Sequence, residues 1–117
     1  MEEVASMSKT GRASKAKGRR LQNLVRDLLR EKFPQLEDDD IKSATMGMGG
    51  EDIVLSPAAR KVVNYSIECK NVERLQFWKA VQQAEENSNG RIPAIVVKKN
   101  GRSPFVAIPL NNWLDLI

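Results

Sequence analysis

The chain has 117 residues, 41% of them apolar and 29% charged, with 19 lysines and arginines against 15 acidic residues. That is the balance of one globular domain with a single modest core and no room for a second. It contains no histidine and one cysteine, which excludes Ser-His-Asp triads, histidine-bound metals, zinc fingers, Cys-His nucleophile pairs and any disulfide within the chain.

In chain order, residues 1–13 are small, polar and basic and read as a disordered basic tail. Residues 14–117 are left as the folded domain. Ser14 is placed to cap a helix whose apolar residues Leu21, Leu24, Val25, Leu28 and Leu29 recur on one helical face. Pro34 ends that helix. The acidic run Glu37, Asp38, Asp39 and Asp40 falls between a helix end and a strand at 41–46, and reads as a solvated turn rather than a metal site. Gly47, Gly49 and Gly50 mark a tight turn into a strand beginning near Asp52. No G-K-[ST] follows them, so they are not a phosphate-binding P-loop.

Residues 56–61 connect this strand to the next, at 65–71, and Pro57 bars a continued ladder. A second helix is expected over 72–89, stopped by Gly90, with Phe77 and Trp78 in the core. Strands at 92–98 and 105–108 flank Asn100-Gly101, a strong hairpin signal. A short helix closes the chain. Helix, three strands, helix, two strands and helix make an α/β domain with a central mixed sheet flanked by helices.

The stretch with chemistry in it is Gly50-Glu51-Asp52-Ile53-Val54-Leu55 followed by Tyr65-Ser66-Ile67-Glu68-Cys69-Lys70-Asn71. Strand alternation puts Ser66, Glu68 and Lys70 on one face and Tyr65, Ile67 and Cys69 on the other, under a helix. If the two runs pair as an antiparallel hairpin, Asp52 lies beside Glu68, and two carboxylates and a lysine surround one point. Only one of Glu51 and Asp52 can face Glu68. Taken alone, a Glu-x-Lys strand is more often an exposed ion pair than a site.

The ordered set Met46-Gly47-Met48-Gly49-Gly50-Glu51-Asp52, then Ser66-Ile67-Glu68-Cys69-Lys70-Asn71, then Trp78-Lys79-Ala80 and Gln83-Ala84 resembles the PD-(D/E)XK nuclease superfamily. Within it the chain is similar to small phage-type endonucleases and, more distantly, to archaeal-type Holliday junction resolvases. The resemblance implies a restriction-endonuclease-like core and Mg²⁺- or Mn²⁺-dependent hydrolysis of DNA phosphodiesters, with branched, Holliday junction-like DNA as a candidate substrate. It implies Asp52, Glu68 and the Cys69 backbone carbonyl as metal ligands, Lys70 as the catalytic cation, and Gln83 (or, by a one-residue shift, Gln82) on the following helix. Gln22 stands near the place where related resolvases carry a helix glutamate. A homodimer is expected, both from the resolvases and from the apolar run Leu110, Trp113, Leu114, Leu116 and Ile117.

The net charge of +4 is carried by the N-terminal part: the first 20 residues hold six basic and two acidic groups, and the rest is balanced. Lys15, Lys17, Arg19 and Arg20, with Arg60 and Lys61 near the site, are the candidate contacts to DNA phosphates. No organic cofactor and no membrane partner are expected. The acidic start lacks a signal peptide's apolar segment, and the expected setting is cytoplasmic, that of a bacterial host if the gene is a phage's. A catalytically silent DNA-binding or assembly protein on the same fold is the competing reading.

Overall fold

A computed structural model of the chain describes residues 2–45 and 50–117. The turn expected at Gly47 and Gly49 and the last residue of the 41–46 strand lie outside them. The elements are α1 (Glu2–Lys32), a 3₁₀ turn (Asp38–Asp40), β1 (Ile41–Ser43), β2 (Ile53–Leu55), α2 (Pro57–Val62), β3 (Tyr65–Asn71), α3 (Phe77–Asn87), β4 (Ile92–Lys98), β5 (Phe105–Ala107) and α4 (Leu110–Leu116).

The first helix begins at Glu2 rather than at Ser14, so residues 2–13, expected to be a disordered tail, continue the helical backbone. The segment has no proline and one interior glycine, Gly11, and seven of its twelve residues are Glu, Ala, Met, Lys or Arg, all good helix formers. A helix already nucleated on a packed apolar face extends through such a sequence at small cost. The face itself is rotated from the expected one. Leu21 and Gln22 are buried with Val25 and Leu29 beside them, while Leu24 and Leu28 are exposed.

The acidic run is a turn, as its composition suggested, and it has a structural task. Asp40 accepts from the Glu37 backbone N–H at 2.8 Å and from the Ser56 hydroxyl at 2.6 Å. Ser56 in turn caps α2, accepting from the Ala59 N–H at 3.1 Å, with Pro57 in the first helical turn. The expected connection between the two site strands is therefore a short helix.

The strands form two small sheets instead of one central sheet. β1 and β2 pair antiparallel, Ile41 opposite Leu55 and Ser43 opposite Ile53. β3 and β4 pair in parallel from Tyr65 opposite Ile92 to Asn71 opposite Lys98, and β5 adds antiparallel to β4. The anticipated hairpin between the two site strands shrinks to a junction at which the Asp52 N–H donates to the Ile67 carbonyl at 3.0 Å. β2 is three residues long and α2 starts two residues after it, so the chain turns away before a ladder along β3 can grow. The architecture is mixed α/β.

α3 starts at Phe77, five residues later than the expected 72. The intervening residues are held by other elements: the Val72 N–H donates to the Lys98 carbonyl at 3.0 Å, and Glu73 accepts from Lys17 Nζ at 3.2 Å and from the Asn100 N–H at 2.8 Å. Asn89 (φ 50°) and Gly90 (φ 80°) adopt left-handed backbone and end the helix.

Alternation along β3 then sorts the two faces. Ile67 and Cys69 join Leu21, Ile53, Leu55 and Ala94 in the core beneath α1. Glu68 and Lys70 point the other way, where each meets a side chain of α3.

Candidate active site

Asp52 sits at the junction between the sheets. Its backbone N–H is spent on Ile67, and its carboxylate Oδ2 accepts from the Cys69 N–H at 2.7 Å. Both ends of the residue are thereby tied to β3. Glu68, the residue between those two partners, is 2% exposed, and its carboxyl lies within hydrogen-bonding reach of Asp52.

Burial pushes the Glu68 carboxyl up to about 7, and the negative charge of Asp52 and the hydrogen bond to it add to that rise. Asn87 and, more weakly, Lys70 oppose it. The Asn87 amide Nδ2 donates to Glu68 Oε1 at 2.9 Å. One helical turn earlier, Gln83 Oε1 accepts from Lys70 Nζ at 2.7 Å. Residues four apart share a helix face, so α3 lays two amides over the two charged groups of β3. The alternative, Gln82, is bonded along its own helix to Glu86 at 3.3 Å.

Glu51 is committed elsewhere. Arg91 Nη1 meets its carboxylate at 2.7 Å, with side chains only 15% and 14% exposed, and Arg60 Nη2 lies at 3.8 Å. The second Arg91 amino group donates to the Val63 carbonyl at 3.4 Å and to the Tyr65 carbonyl. Of the two adjacent acids, Asp52 is the one that reaches Glu68. Gln22 is buried on α1 and its Oε1 has no hydrogen-bond partner among the described residues. The Cys69 thiol lies in the core, its pKa raised by burial and then by the charges of Asp52 and Glu68.

The candidate phosphate contacts divide. Lys15, Arg19 and Arg20 are exposed on α1, and Lys61 is exposed on α2. Lys17 is drawn into the fold, with Nζ on Glu73 at 3.2 Å and its carbonyl accepting from Asn71 Nδ2 at 3.1 Å. Arg60 leans on Glu51. Phe77 and Trp78, expected in the core, are 38% and 78% exposed and stack edge to face with centroids 5.1 Å apart. The interior positions of α3 are taken by Ala80 and Ala84, because small residues let the helix approach β3 and β4 closely.

Among the described residues no group of three or more His, Cys, Asp or Glu side chains is placed to hold a metal. A Mg²⁺ ion asks for less, one or two carboxylates with the remaining positions filled by carbonyl, water and substrate oxygens. The Asp52–Glu68 pair fits that demand: two crowded carboxylates, one with a raised pKa, are the electrostatic condition that a divalent cation relieves. No helix of the described residues is long and apolar enough to cross a membrane.

Two contacting residues escaped the sequence reading. Asn87 carried a usable signal, since it lies four residues after Gln83. Arg91 carried none, because its partners are brought together only by the packing of β2, β3 and β4. Comparison of the chain with protein-family models, curated proteins and solved structures gives no significant match.

Proposed function

We propose that this chain is a metal-dependent DNA endonuclease that hydrolyses phosphodiester bonds at Asp52, Glu68 and Lys70. The observation that carries the reading is the convergence of those three side chains with Gln83, from three separate parts of the sequence, on one side of β3. Asp52 and Glu68 would hold Mg²⁺ or Mn²⁺, with the Cys69 carbonyl as a backbone ligand. Such an ion supplies an activated water and neutralises charge on the phosphate.

Lys70 places a compact positive charge beside the acids, where it offsets the charge that grows on the phosphoryl oxygens. Gln83 fixes the ammonium before substrate arrives, and Asn87 fixes the Glu68 carboxylate. Neither amide titrates, so both hold their partners without competing for the proton.

The test is cleavage of linear duplex, nicked, single-stranded and four-way-junction DNA with Mg²⁺, Mn²⁺ or EDTA. Asp52→Asn, Glu68→Gln and Lys70→Ala should each abolish the metal-dependent product. The two acid variants should lose metal binding, and Lys70→Ala should keep it. Full activity in both acid variants would remove the assignment. DNA binding without cleavage under any metal would favour a silent DNA-binding protein.

The oligomeric form attached to this reading is a two-fold dimer. Leu110, Leu116 and Ile117 are 69%, 66% and 83% exposed. An apolar groove of about 310 Å³, lined by Phe77, Trp78, Ile95, Ile108 and Leu110, adjoins them. A second copy placed there by two-fold symmetry would offer the same apolar residues in return, and two sites could then act on two strands, as cleavage of a branched junction requires.

A further inference from the structure

A groove flanks the site, and it lies along the same face of α3 that holds Lys70. Its volume is about 520 Å³, and Lys70, Gln76, Lys79, Gln82, Gln83 and Glu86 line it. Gln76, Lys79, Gln83 and Glu86 follow one another at helical spacing. From the first to the last the helix rises by about 15 Å, against one phosphate per ~3.4 Å of axis along a DNA strand. The groove is long enough for more than one phosphate.

Its charge is graded. Lys79 and the Gln76 amide stand at the N-terminal end, Lys70 at the middle, and Glu86, bonded to Gln82 at 3.3 Å, at the far end. Apart from Leu75 and Ala80 the lining side chains end in amides and charges, groups that can hydrogen-bond and pair with an anionic strand.

We propose that this groove is the substrate-strand track, in which Lys79 and Gln76 bind the DNA phosphate next to the one presented to Lys70, while Glu86 repels phosphate and ends the track. The inference rests on the nuclease reading of the adjoining site. It assigns strand binding to α3, away from the basic run on α1. The exposed ammonium of Lys79 supplies charge, and Gln76 donates a hydrogen bond to a non-bridging oxygen. Glu86 makes the track directional, since a strand that extended past it would meet a like charge.

The test uses the full chain in EDTA, so that no cleavage occurs, and measures anisotropy of a fluorescein-labelled short duplex and single strand over a range of salt. Lys79→Gln should weaken binding by about five- to tenfold near 0.1 M salt and lower the salt slope by about one, the size of one phosphate contact. Glu86→Gln should tighten binding. Lys32→Gln, which removes an equal charge at the end of α1, should do neither. All these side chains are exposed, so no substitution leaves a buried group unpaired.

Wild-type affinity in both Lys79→Gln and Glu86→Gln, or an equal loss in Lys32→Gln, would overturn the track. Cleavage is scored separately with Mg²⁺ and Mn²⁺. A protein that binds through Lys79 but never cuts would keep the track and lose the nuclease reading. One that cuts but ignores Lys79 and Glu86 would do the reverse.

Discussion

Glu68 is a carboxyl held against its ordinary ionisation by burial and by the charge of Asp52. Its carboxyl is raised from 4.5 to about 7 in the fold, so between those values the folded chain keeps a proton that the unfolded chain has released. Stability from this group is fully present below about pH 4.5 and is lost as pH rises through 7, by about 3 kcal/mol. Glu68→Gln removes the charge and keeps an oxygen for Asn87, so it should raise the melting temperature near pH 8 and leave it unchanged near pH 4. Thermal melts at the two pH values check this, and an equal shift at both would mean that charge is not the cause. If Asp52 and Glu68 hold a divalent cation, Mg²⁺ should stabilise the wild type near pH 8, and EDTA should reverse that. The Glu51–Arg91 pair is the opposite case, two half-buried charges that face each other. Glu51→Ala leaves Arg91 with its carbonyl partners but no counter-charge, and should cost about 2 kcal/mol in urea unfolding; a loss near zero would mean that water already screens the pair.

Among the elements, β3 and α3 were the most legible, because alternation and helical spacing are local rules. The period of two in Ser66-Ile67-Glu68-Cys69-Lys70 places its side chains in the structure as it does on paper, and Gln83 falls on the face that alternation leaves open. Where sequence reasoning failed, the deciding contacts were distant. α3 starts late because Lys17 and Asn100 hold Glu73, and no property of residues 72–76 announces that. Phe77 and Trp78 are expected in the core, yet Ala80 and Ala84 take the interior and the aromatic pair stays outside. The single sheet became two because α2 follows β2 so closely. Ser56 is a small test of that account: it bonds both the Ala59 N–H and Asp40, so Ser56→Ala should cost about 1 kcal/mol or more. The N-terminal part of α1 gives a further prediction. Lys15, Arg19 and Arg20 project from the helix on which the sequence places them, so changing all three to Gln should lower the DNA salt slope by about 0.9 for each one that meets a phosphate. An unchanged slope would assign them to solvent.

At the scale of the whole molecule the long axis is 51 Å against 31 and 27 Å, and the 31 residues of α1, about 46 Å of helix, account for it. The apolar surface gathers elsewhere, around Trp78, Phe105, Leu110 and α4. If a second copy covers it, Trp113→Asp with Ile117→Asp should convert a dimer to a monomer by light scattering and leave the fold intact by circular dichroism. A wild type already monomeric at high concentration would refute that interface. The joint between the two sheets has a consequence of its own. Asp52 gives its N–H to Ile67 and takes the Cys69 N–H on its carboxylate, so the β1–β2 pair cannot slide along β3 without breaking both bonds together. The amides of Asp52 and Cys69 should therefore exchange with deuterium at a common rate, as one opening event. That rate times how often the two halves of the protein part company.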